Sequence, residues 1–261
     1  MREELPTGHT QETAPKFETF SGSWKEGFDD VRRLRVKSGV VALGTDSGGR
    51  GGENEDALFL DTDLDAFAAI DGIGGYEKGE IASQIVAVEM EKALHLNFSP
   101  VEMHRNASIR MRERGIRDGG AVYASVQIRK KEALITHAGD ARVIITDPKG
   151  RVVFTTEDTE LSWAPRGRSV GNPTISRQSL MNYFRILATT DGLLQNVNIE
   201  RAMDLMKTLP VERVVRELAE MAKTAMQVGY YEDGQGNREY GNKDNLAIAL
   251  YEILPVPLRG K

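Results

Sequence analysis

The stretch from Ala68 to Ser83 constrains the fold more than any other part of the chain. It reads as an apolar strand that ends at Asp71, passes through a glycine-rich turn and continues into a helix. Because glycine has no Cβ and tolerates positive φ, this turn allows a ligand, a metal ion or another backbone to approach the strand end closely. Glycine is also an ordinary turn residue, so the stretch alone fits a plain strand-to-helix connection equally well.

Acidic residues stand at the ends of three further strand-like runs. They are Glu55 and Asp56 before residues 57–60, Asp191 shortly after residues 184–188, and Asp244 before residues 246–250. Repeated placement of carboxylates at strand ends predicts one shared cation site. Adjacent residues of a strand point to opposite faces, so we expect Asp56 rather than Glu55 to point into that site.

Composition narrows the class of protein and the kind of metal site. With 261 residues, 40% of them hydrophobic, the chain can bury the core of a single large domain. It contains no cysteine, and its four histidines show no zinc-like spacing, so oxygen atoms must hold any metal ion. The net charge of −5 gives no general attraction to nucleic acid or to anionic membranes, and we expect neither as a partner.

The polar residues 1–35 are predicted to form an N-terminal extension, and residues 36–261 the domain. The basic run 32–37 is predicted to be a solvated strand edge or a turn. Four aromatic residues of the extension could dock on the domain or on a partner: Phe17, Phe20, Trp24 and Phe28. The N-terminus lacks the layout of a signal peptide, and no apolar run is long enough to span a membrane. We therefore expect a cytoplasmic protein, and a monomer.

Hydrophobic periodicity predicts an α+β fold in which two helix pairs interrupt a series of strands. The predicted helices are 77–96, 100–115, 199–207 and 211–228; the predicted strands are 36–45, 55–61, 65–70, 121–128, 133–138, 142–146, 151–155, 182–190 and 245–254. Residues 157–181 and 229–242 are predicted loops, and His95 and His104 are expected on helix surfaces. The simplest packing is an α-β-β-α sandwich, with two antiparallel sheets face to face and a helix pair outside each.

The strand-end acids suit a hard divalent cation such as Mg²⁺ or Mn²⁺. Asp71, Asp191 and Asp244, with the carbonyl oxygen of Gly72, would supply oxygen ligands. A carboxylate that bridges two such ions, about 3.5–4 Å apart, allows them to hold a hydroxide that can attack phosphorus. The ions would also offset the charge of a phosphate ester, which bare carboxylates would repel.

Five short segments resemble, in order, the metal-dependent type 2C (PPM) serine/threonine protein phosphatase family. They are Asn-Glu-Asp-Ala at 54–57, Asp-Gly-Ile-Gly-Gly at 71–75 leading to Gly-Glu-Ile-Ala-Ser at 79–83, Ala-Gly-Asp-Ala-Arg at 138–142, Thr-Asp-Gly-Leu at 190–193, and Lys-Asp-Asn at 243–245. The similarity extends from about Val36 to Leu254. Each segment is short, and the common order gives the resemblance its specificity.

The resemblance implies an α-β-β-α sandwich that hydrolyses phosphoserine or phosphothreonine in proteins through a metal-bound hydroxide at a dinuclear Mn²⁺ or Mg²⁺ centre. By motif position, Asp71 would bridge the two ions, the Gly72 carbonyl would bind one, and Asp191 and Asp244 would bind the other. Asp56 and Glu55 would hold metal-bound waters. Asp140 would form a weaker third metal site with Asp191, and residues 157–181 would occupy the family's variable flap.

Three features depart from the family pattern. The family's phosphate-binding arginine lies four residues before the glutamate of its first motif, and here that place is Gly51, with Arg50 next to it. Either the loop brings Arg50 to the phosphate or phosphate binding is weaker. Ile73 replaces the histidine that some members use as a general acid, and the flap is short.

These departures keep two alternatives to an active protein phosphatase open. One is a regulatory or binding module that has the phosphatase fold and little activity. The other is a phosphatase for small phosphomonoesters, which a short flap would suit.

Overall fold

Two six-stranded sheets form the centre of the part of the chain that the structure describes. The structure, a computed structural model, describes residues 18–21, 31–50, 52–73, 78–117, 119–159, 172–180, 185–232 and 235–253. The first sheet contains, in spatial order, β1 (Glu18–Ser21), β4 (Ala57–Asp61), β5 (Ala66–Ile73), β6 (Gly120–Arg129), β7 (Glu132–Ala138) and β10 (Thr174–Ser179). The second contains β2 (Arg32–Arg35), β3 (Gly39–Asp46), β14 (Leu246–Ile253), β11 (Arg185–Thr189), β8 (Arg142–Thr146) and β9 (Val152–Thr155). Neighbouring strands in both sheets are antiparallel.

The helices are formed by segments with clear start signals or an apolar stripe. They are α1 (Gly79–Leu96), α2 (Pro100–Glu113), the short α3 (Asp191–Leu194), α4 (Ile199–Thr208) and α5 (Val211–Val228). At the start of α2, Ser99 and Glu102 form a reciprocal capping box, and Pro100 occupies the first turn. In α5, residues spaced three and four apart, among them Val211, Val214 and Leu218, are buried.

Three apolar layers hold the sandwich together. The layer between the sheets includes Leu58, Phe67 and Tyr251, whose ring stacks on Phe67 with the centroids 5.7 Å apart. A second layer joins the outer face of the first sheet to α1 and α2, and a third joins the second sheet to α4 and α5. The predicted α-β-β-α sandwich of antiparallel sheets is confirmed.

β1, β10 and a two-stranded hairpin lie where the sequence predicted no strand, whereas β2 lies in the run 32–37 that was predicted to be a solvated strand edge or a turn. β1 and β2 fall within the predicted N-terminal extension and pair with β4 and β3, so the sheets begin before residue 36. The division at residue 35 stays a prediction. The docking of the arm's aromatic side chains does too, because Phe17, Trp24 and Phe28 lie outside the described residues and Phe20 is described in its backbone alone. β10 falls within the predicted loop 157–181, and a hairpin of β12 (Tyr230–Glu232) and β13 (Arg238–Tyr240) lies within 229–242.

These strands share a short length and polar composition. β1, β2 and β10 are edge strands, and the side chains of β2 and β10 are mostly exposed. An edge strand whose side chains are mostly exposed on both faces carries no alternating apolar signal, and its polar side chains also discourage pairing with other molecules. The hydrophobic pattern therefore could not reveal them.

The expected surface position of His104 was wrong. Its side chain is buried beneath α2, and its Nδ1 lies 3.1 Å from the hydroxyl of Tyr123. His95 is half exposed, and its Nε2 lies 2.9 Å from a carboxylate oxygen of the buried Asp61. Among the helices in the described part of the chain, none has the length and apolar character needed to cross a membrane.

Candidate metal centre

The acids predicted to share a site lie at one edge of the sandwich. Asp56 directly precedes β4, and Asp71 lies near the end of β5, where Ala57 pairs with Ile70. In the other sheet, Asp191 follows the end of β11 and Asp244 precedes β14, and these strands also pair antiparallel. Antiparallel pairing brings the end of one strand beside the start of its neighbour, so the two acids of each sheet lie side by side. The hydrogen bond from Thr190 to Asp56 shows that the two pairs lie at the same edge of the sandwich.

Asp56 forms the buried link between the two sheets. Its carboxylate accepts a hydrogen bond of 2.7 Å from the hydroxyl of Thr190, which in turn accepts the backbone N–H of Ala247 at 3.0 Å. The carboxyl group of Asp56 is also close enough to that of Asp71 for the two to influence each other's pKa. As expected, Asp56 rather than Glu55 points inward; Glu55 is only partly buried and lies nearer the rim.

Glycine is required where the backbone segments meet at this edge. A Cβ on Gly72 would lie 2.1 Å from the carbonyl oxygen of Gly79 and 2.6 Å from that of Glu55. A Cβ on Gly192 would lie 1.9 Å from the carbonyl oxygen of Asn245. Both distances are far below van der Waals contact, so the glycines allow the strand ends to pack backbone against backbone.

The guanidinium of Arg50 contacts two acids of this edge. One of its terminal nitrogens lies 3.2 Å from a carboxylate oxygen of Glu55 and 3.2 Å from one of Asp244. The loop that carries Arg50 is tied down because the N–H of Gly48 donates to Asp46 and the side chain of Asn245 donates to the carbonyl oxygen of Ser47. The loop therefore holds Arg50 over the site, one residue from Gly51, which lies outside the described residues.

Burial and mutual repulsion oppose ionisation of the central carboxyl groups. Burial, followed by the charge of Asp244, raises the pKa of Asp71 to about 7. Burial, followed by the charge of Asp71, raises the pKa of Asp191 to about 7. Burial also raises the pKa of Asp56 well above its usual range, with Asp71 adding to the effect. Burial raises the pKa of Glu55 as well, while Arg50 acts in the opposite direction.

The carboxylates do not form a closed cage. Within the described residues, no three His, Asp or Glu side chains are gathered so as to hold one ion by themselves. Mg²⁺ in proteins is commonly held by one or two carboxylates and keeps several waters. An ion here would thus need the Gly72 carbonyl and water to complete its ligands.

Comparisons of sequence and of structure with known proteins give different results. The sequence matches no protein-family model and no curated protein. The structure is similar to that of the catalytic domain of the serine/threonine protein phosphatase PstP, solved with two manganese ions, and to PstP from Mycobacterium tuberculosis, each with 19% identity and a TM-score of 0.63. These matches cover 82% of this chain and 98% of the PstP chains.

Two further solved structures match over their whole length. PppA of Pseudomonas aeruginosa is 17% identical with a TM-score of 0.64, over 84% of this chain and 99% of its own. RsbX, solved with magnesium, is 15% identical with a TM-score of 0.64, over 86% of this chain and 100% of its own. The chain has the PPM phosphatase fold.

The donor set of this PPM fold fits Mg²⁺ or Mn²⁺ in chemical type. Every candidate ligand is an oxygen atom, and Asp71, Asp191 and Asp244 repel one another in a partly buried place where a cation would relieve the repulsion. Asp140 is half buried at the turn between β7 and β8, and its charge also raises the pKa values of Asp71 and Asp191. All predicted metal residues therefore face a common region, although their roles stay predictions.

Sequence reasoning missed the uncharged residues that position the acids in the PPM fold. Thr190 holds Asp56, the side chain of Asn245 accepts the N–H of Glu55 at 3.0 Å, and Gln195 donates to the carboxylate of Asp191. Thr190 and Asn245 are each adjacent to an acid in the motif segments, and this adjacency could have identified them from the sequence. Gln195 lies one helical turn after Asp191, a spacing that suits a side-chain contact.

Proposed function

We propose that this protein is a metal-dependent phosphatase that hydrolyses phosphoserine and phosphothreonine in proteins. The observation that carries the proposal is the meeting of Asp71, Asp191 and Asp244 at one sheet edge with raised pKa values for Asp71 and Asp191. Such an acidic edge repels phosphate unless cations are bound, and the PPM fold of the chain gives the edge a chemical precedent. A phosphorylated protein is the proposed partner.

The proposed metal ligands divide between the two sheets. Asp71 would contact both of two Mn²⁺ or Mg²⁺ ions, the Gly72 carbonyl one of them, and Asp191 and Asp244 the other. When bound, the ions would lower the pKa of water at the site and neutralise the phosphate ester. A weaker third ion would involve Asp140 and Asp191.

The other residues would orient water and phosphate. Asp56, held by Thr190, and Glu55, held near Arg50, present carboxylate oxygens that accept hydrogen bonds from water. Arg50 would bind the phosphate of the substrate through its guanidinium group, which suits phosphate oxygens. Ile73 cannot donate a proton, so the leaving group would take its proton from water.

The alternative of a weakly active regulatory module is favoured by one contact. The guanidinium of Arg50 is already engaged by Glu55 and Asp244, which would hold it away from a phosphate group. A module of this kind would keep metal binding and lose hydrolysis.

The test is phosphate release from a phosphothreonine peptide by the full chain with Mn²⁺, with Mg²⁺ and with chelator. We expect metal-dependent release, and faster release than from p-nitrophenyl phosphate at equal concentration. Asp71→Asn should abolish turnover and weaken metal binding measured by calorimetry, while circular dichroism stays unchanged. Asp63→Asn, which removes an exposed acid at the far β4–β5 turn, should behave as the unmodified protein.

Each contrary result leads to a different conclusion. Metal binding without hydrolysis of either substrate would favour the regulatory module. Faster hydrolysis of the small ester would favour a small-molecule phosphatase. Full activity of Asp71→Asn would rule out the proposed metal centre. A cytoplasmic location also stays a proposal, which fractionation of the producing cells would test.

A further inference from the structure

A cavity of about 460 Å³ lies on the outer face of the first sheet, between that sheet and the helix pair α1 and α2. It is separate from the acidic edge, since none of the acids proposed as metal ligands lines it. Its volume falls within the range of about 300–1,000 Å³ that is typical of small-molecule sites. Nothing in the proposed phosphatase reaction uses this space.

The strand register explains why the cavity exists. Side chains alternate between the two faces of a strand, so Tyr123, Ser125, Gln127 and Arg129 of β6 all point to the outer face. Tyr123 is buried among the residues that pack against α1 and α2. Beyond Tyr123, the helix pair covers only part of the outward-facing side chains that lie side by side on neighbouring strands. These cross-strand rows of side chains form the cavity floor.

The floor combines hydroxyl, amide and apolar side chains and ends at two arginines. One row across β6, β7 and β10 contains Ser125, Thr136 and Ile175, and the next contains Gln127, Leu134 and Arg177. Arg129, at the end of β6, lies in the row beyond. The same face therefore offers the apolar side chains of Leu134 and Ile175 and, next to them, two arginine side chains.

The helical wall is apolar. Met90 and Ala93 of α1 and Met103 of α2 are buried and line the cavity, while Phe98 in the connecting turn is 40% exposed at its rim. Ile175, on the opposite side, is 44% exposed. Large apolar side chains that face one concave space provide a surface for an apolar ligand.

Two acids near the open end offset only part of its positive charge. Glu102 lines the cavity, and hydrogen bonds from the N–H and hydroxyl of Ser99 hold its carboxylate at the start of α2. Glu132 lies 4.0 Å from Arg177, but both side chains are exposed, so water screens this long contact and an anion can displace it. Lys130 and Lys131, in the turn after Arg129, are both exposed and add to the positive charge. The open end of the cavity thus complements an anion.

We propose that this cavity binds an organic anion with an extended apolar body, such as a medium-chain carboxylate. The apolar chain lies between the helix wall and the floor formed by Leu134 and Ile175. The carboxylate lies between Arg129 and Arg177. The Nε–H of Arg129 is held by the side-chain oxygen of Gln127 at 2.8 Å, which leaves its terminal nitrogens as donors for the ligand.

Calorimetric titration of the full chain with decanoate, below the concentration at which decanoate forms micelles, tests the proposal. We expect saturable binding of one decanoate per chain. Nonanoate should bind roughly fourfold more weakly, because each buried methylene contributes about 0.8 kcal/mol. Decanol should bind at least tenfold more weakly than decanoate, because it lacks the charge that the arginines recognise.

Two exposed positions allow substitutions that leave the core intact. Ile175→Glu places a negative charge on the apolar floor and should weaken decanoate binding at least tenfold. Arg177→Gln removes one anion contact and should weaken it about tenfold. The matched controls are Val153→Glu, at an exposed position of β9, and Arg35→Gln, at an exposed position of β2, and neither should change binding.

Several results would overturn the proposal. One is the absence of saturable decanoate binding, and another is equal binding by the Ile175→Glu and Arg177→Gln variants. Equal affinity for decanol and decanoate would show that the cavity does not recognise the anionic group. Sedimentation with phosphatidylglycerol vesicles, without saturable decanoate binding, would identify the surface as a membrane contact instead.

Discussion

At the scale of single residues, the acidic edge is a set of like charges that folding brings together. Asp56, Asp71 and Asp191 come from separate parts of the chain, and each has a pKa raised by burial and by its neighbours. The acids themselves could be predicted from their positions at strand ends. Their hydrogen bonds could not, because Thr190 and Asn245 act through contacts between the two sheets, which depend on how those sheets pack.

The raised pKa of Asp71 predicts a pH-dependent gain in stability for Asp71→Asn without metal. A carboxyl group whose pKa is higher in the folded than in the unfolded protein stabilises the fold at pH values below its unfolded pKa, which is near 4. This stabilisation is lost as the pH rises through the folded pKa of about 7. Asp71→Asn should therefore raise the free energy of unfolding by on the order of 2–4 kcal/mol at pH 8 and by less at pH 5. Urea unfolding in chelator would measure both values.

Asp63→Asn is the control for this prediction, since Asp63 is exposed and remote from the acidic edge. Its free energy of unfolding should change little at either pH. An equal effect of Asp71→Asn at pH 5 and pH 8 would show that lost packing or lost hydrogen bonds, rather than ionisation, determine the result.

The contact between Arg50 and Asp244 predicts that substitution of Arg50 changes the affinity for metal, an effect that can be measured without catalysis. Its guanidinium lies 3.2 Å from Asp244, a proposed metal ligand, so a bound cation must share or displace this contact. Arg50→Gln should raise the affinity for Mn²⁺ about fivefold at low salt, a modest effect because the side chain is 45% exposed and screened by water. Calorimetry with Mn²⁺ would measure it.

Arg35→Gln removes the same charge from an exposed edge strand and should leave Mn²⁺ affinity unchanged. If Arg50 also binds the phosphate of the substrate, Arg50→Gln should raise KM more than it lowers kcat. Weaker Mn²⁺ binding by Arg50→Gln would mean that Arg50 positions Asp244 for the metal rather than competing with it.

At the scale of elements, the strength of the hydrophobic signal determined what the sequence could predict. The central strands β3 and β14 are buried over most of their length and were predicted nearly to their ends. α5 was predicted from its apolar stripe. β10 was missed because an exposed edge strand needs only one neighbour and few apolar side chains, and for the same reason β2 could be predicted only as a solvated strand edge or a turn. Similarly, His104 is buried because Tyr123 offers a hydrogen-bond partner on another element.

The packing of α3 against the start of β14 predicts that Gly192→Ala is strongly destabilising. The added Cβ would lie 1.9 Å from the carbonyl oxygen of Asn245, so the backbone must shift. We expect a loss of about 3 kcal/mol or more in the free energy of unfolding, at the upper end of overpacking effects. Urea unfolding at pH 7 would measure this loss.

Gly229→Ala is a useful comparison because it separates backbone strain from steric overlap. Gly229 ends α5 with a φ of 83°, and an added Cβ there would meet nothing within 4 Å. Its cost should be about 1 kcal/mol, as for other left-handed positions. An equal loss for the two variants would contradict the close approach of α3 to β14.

At the scale of the whole molecule, the acidic edge joins the two sheets. Asp71 belongs to the first sheet, whereas Asp191 and Asp244 adjoin strands of the second, and the Thr190–Asp56 hydrogen bond already crosses between them. The order of strands and helix pairs was enough to predict a sandwich. Which edges of the sheets coincide is determined by side-chain packing in the layer between them, and the resemblance to a known family supplied that information in advance.

Because the proposed ligands come from both sheets, a bound metal should stabilise the whole sandwich. Binding to the folded state alone adds about 2.7 kcal/mol at a free Mn²⁺ concentration 100 times Kd. The midpoint of thermal unfolding should therefore rise when Mn²⁺ replaces chelator, and sodium chloride at equal ionic strength should not reproduce the rise. Asp71→Asn should lose most of this stabilisation, while Asp63→Asn should retain it. Equal stabilisation of the two variants would place the ion elsewhere, since only Asp71 belongs to the edge where the two sheets meet.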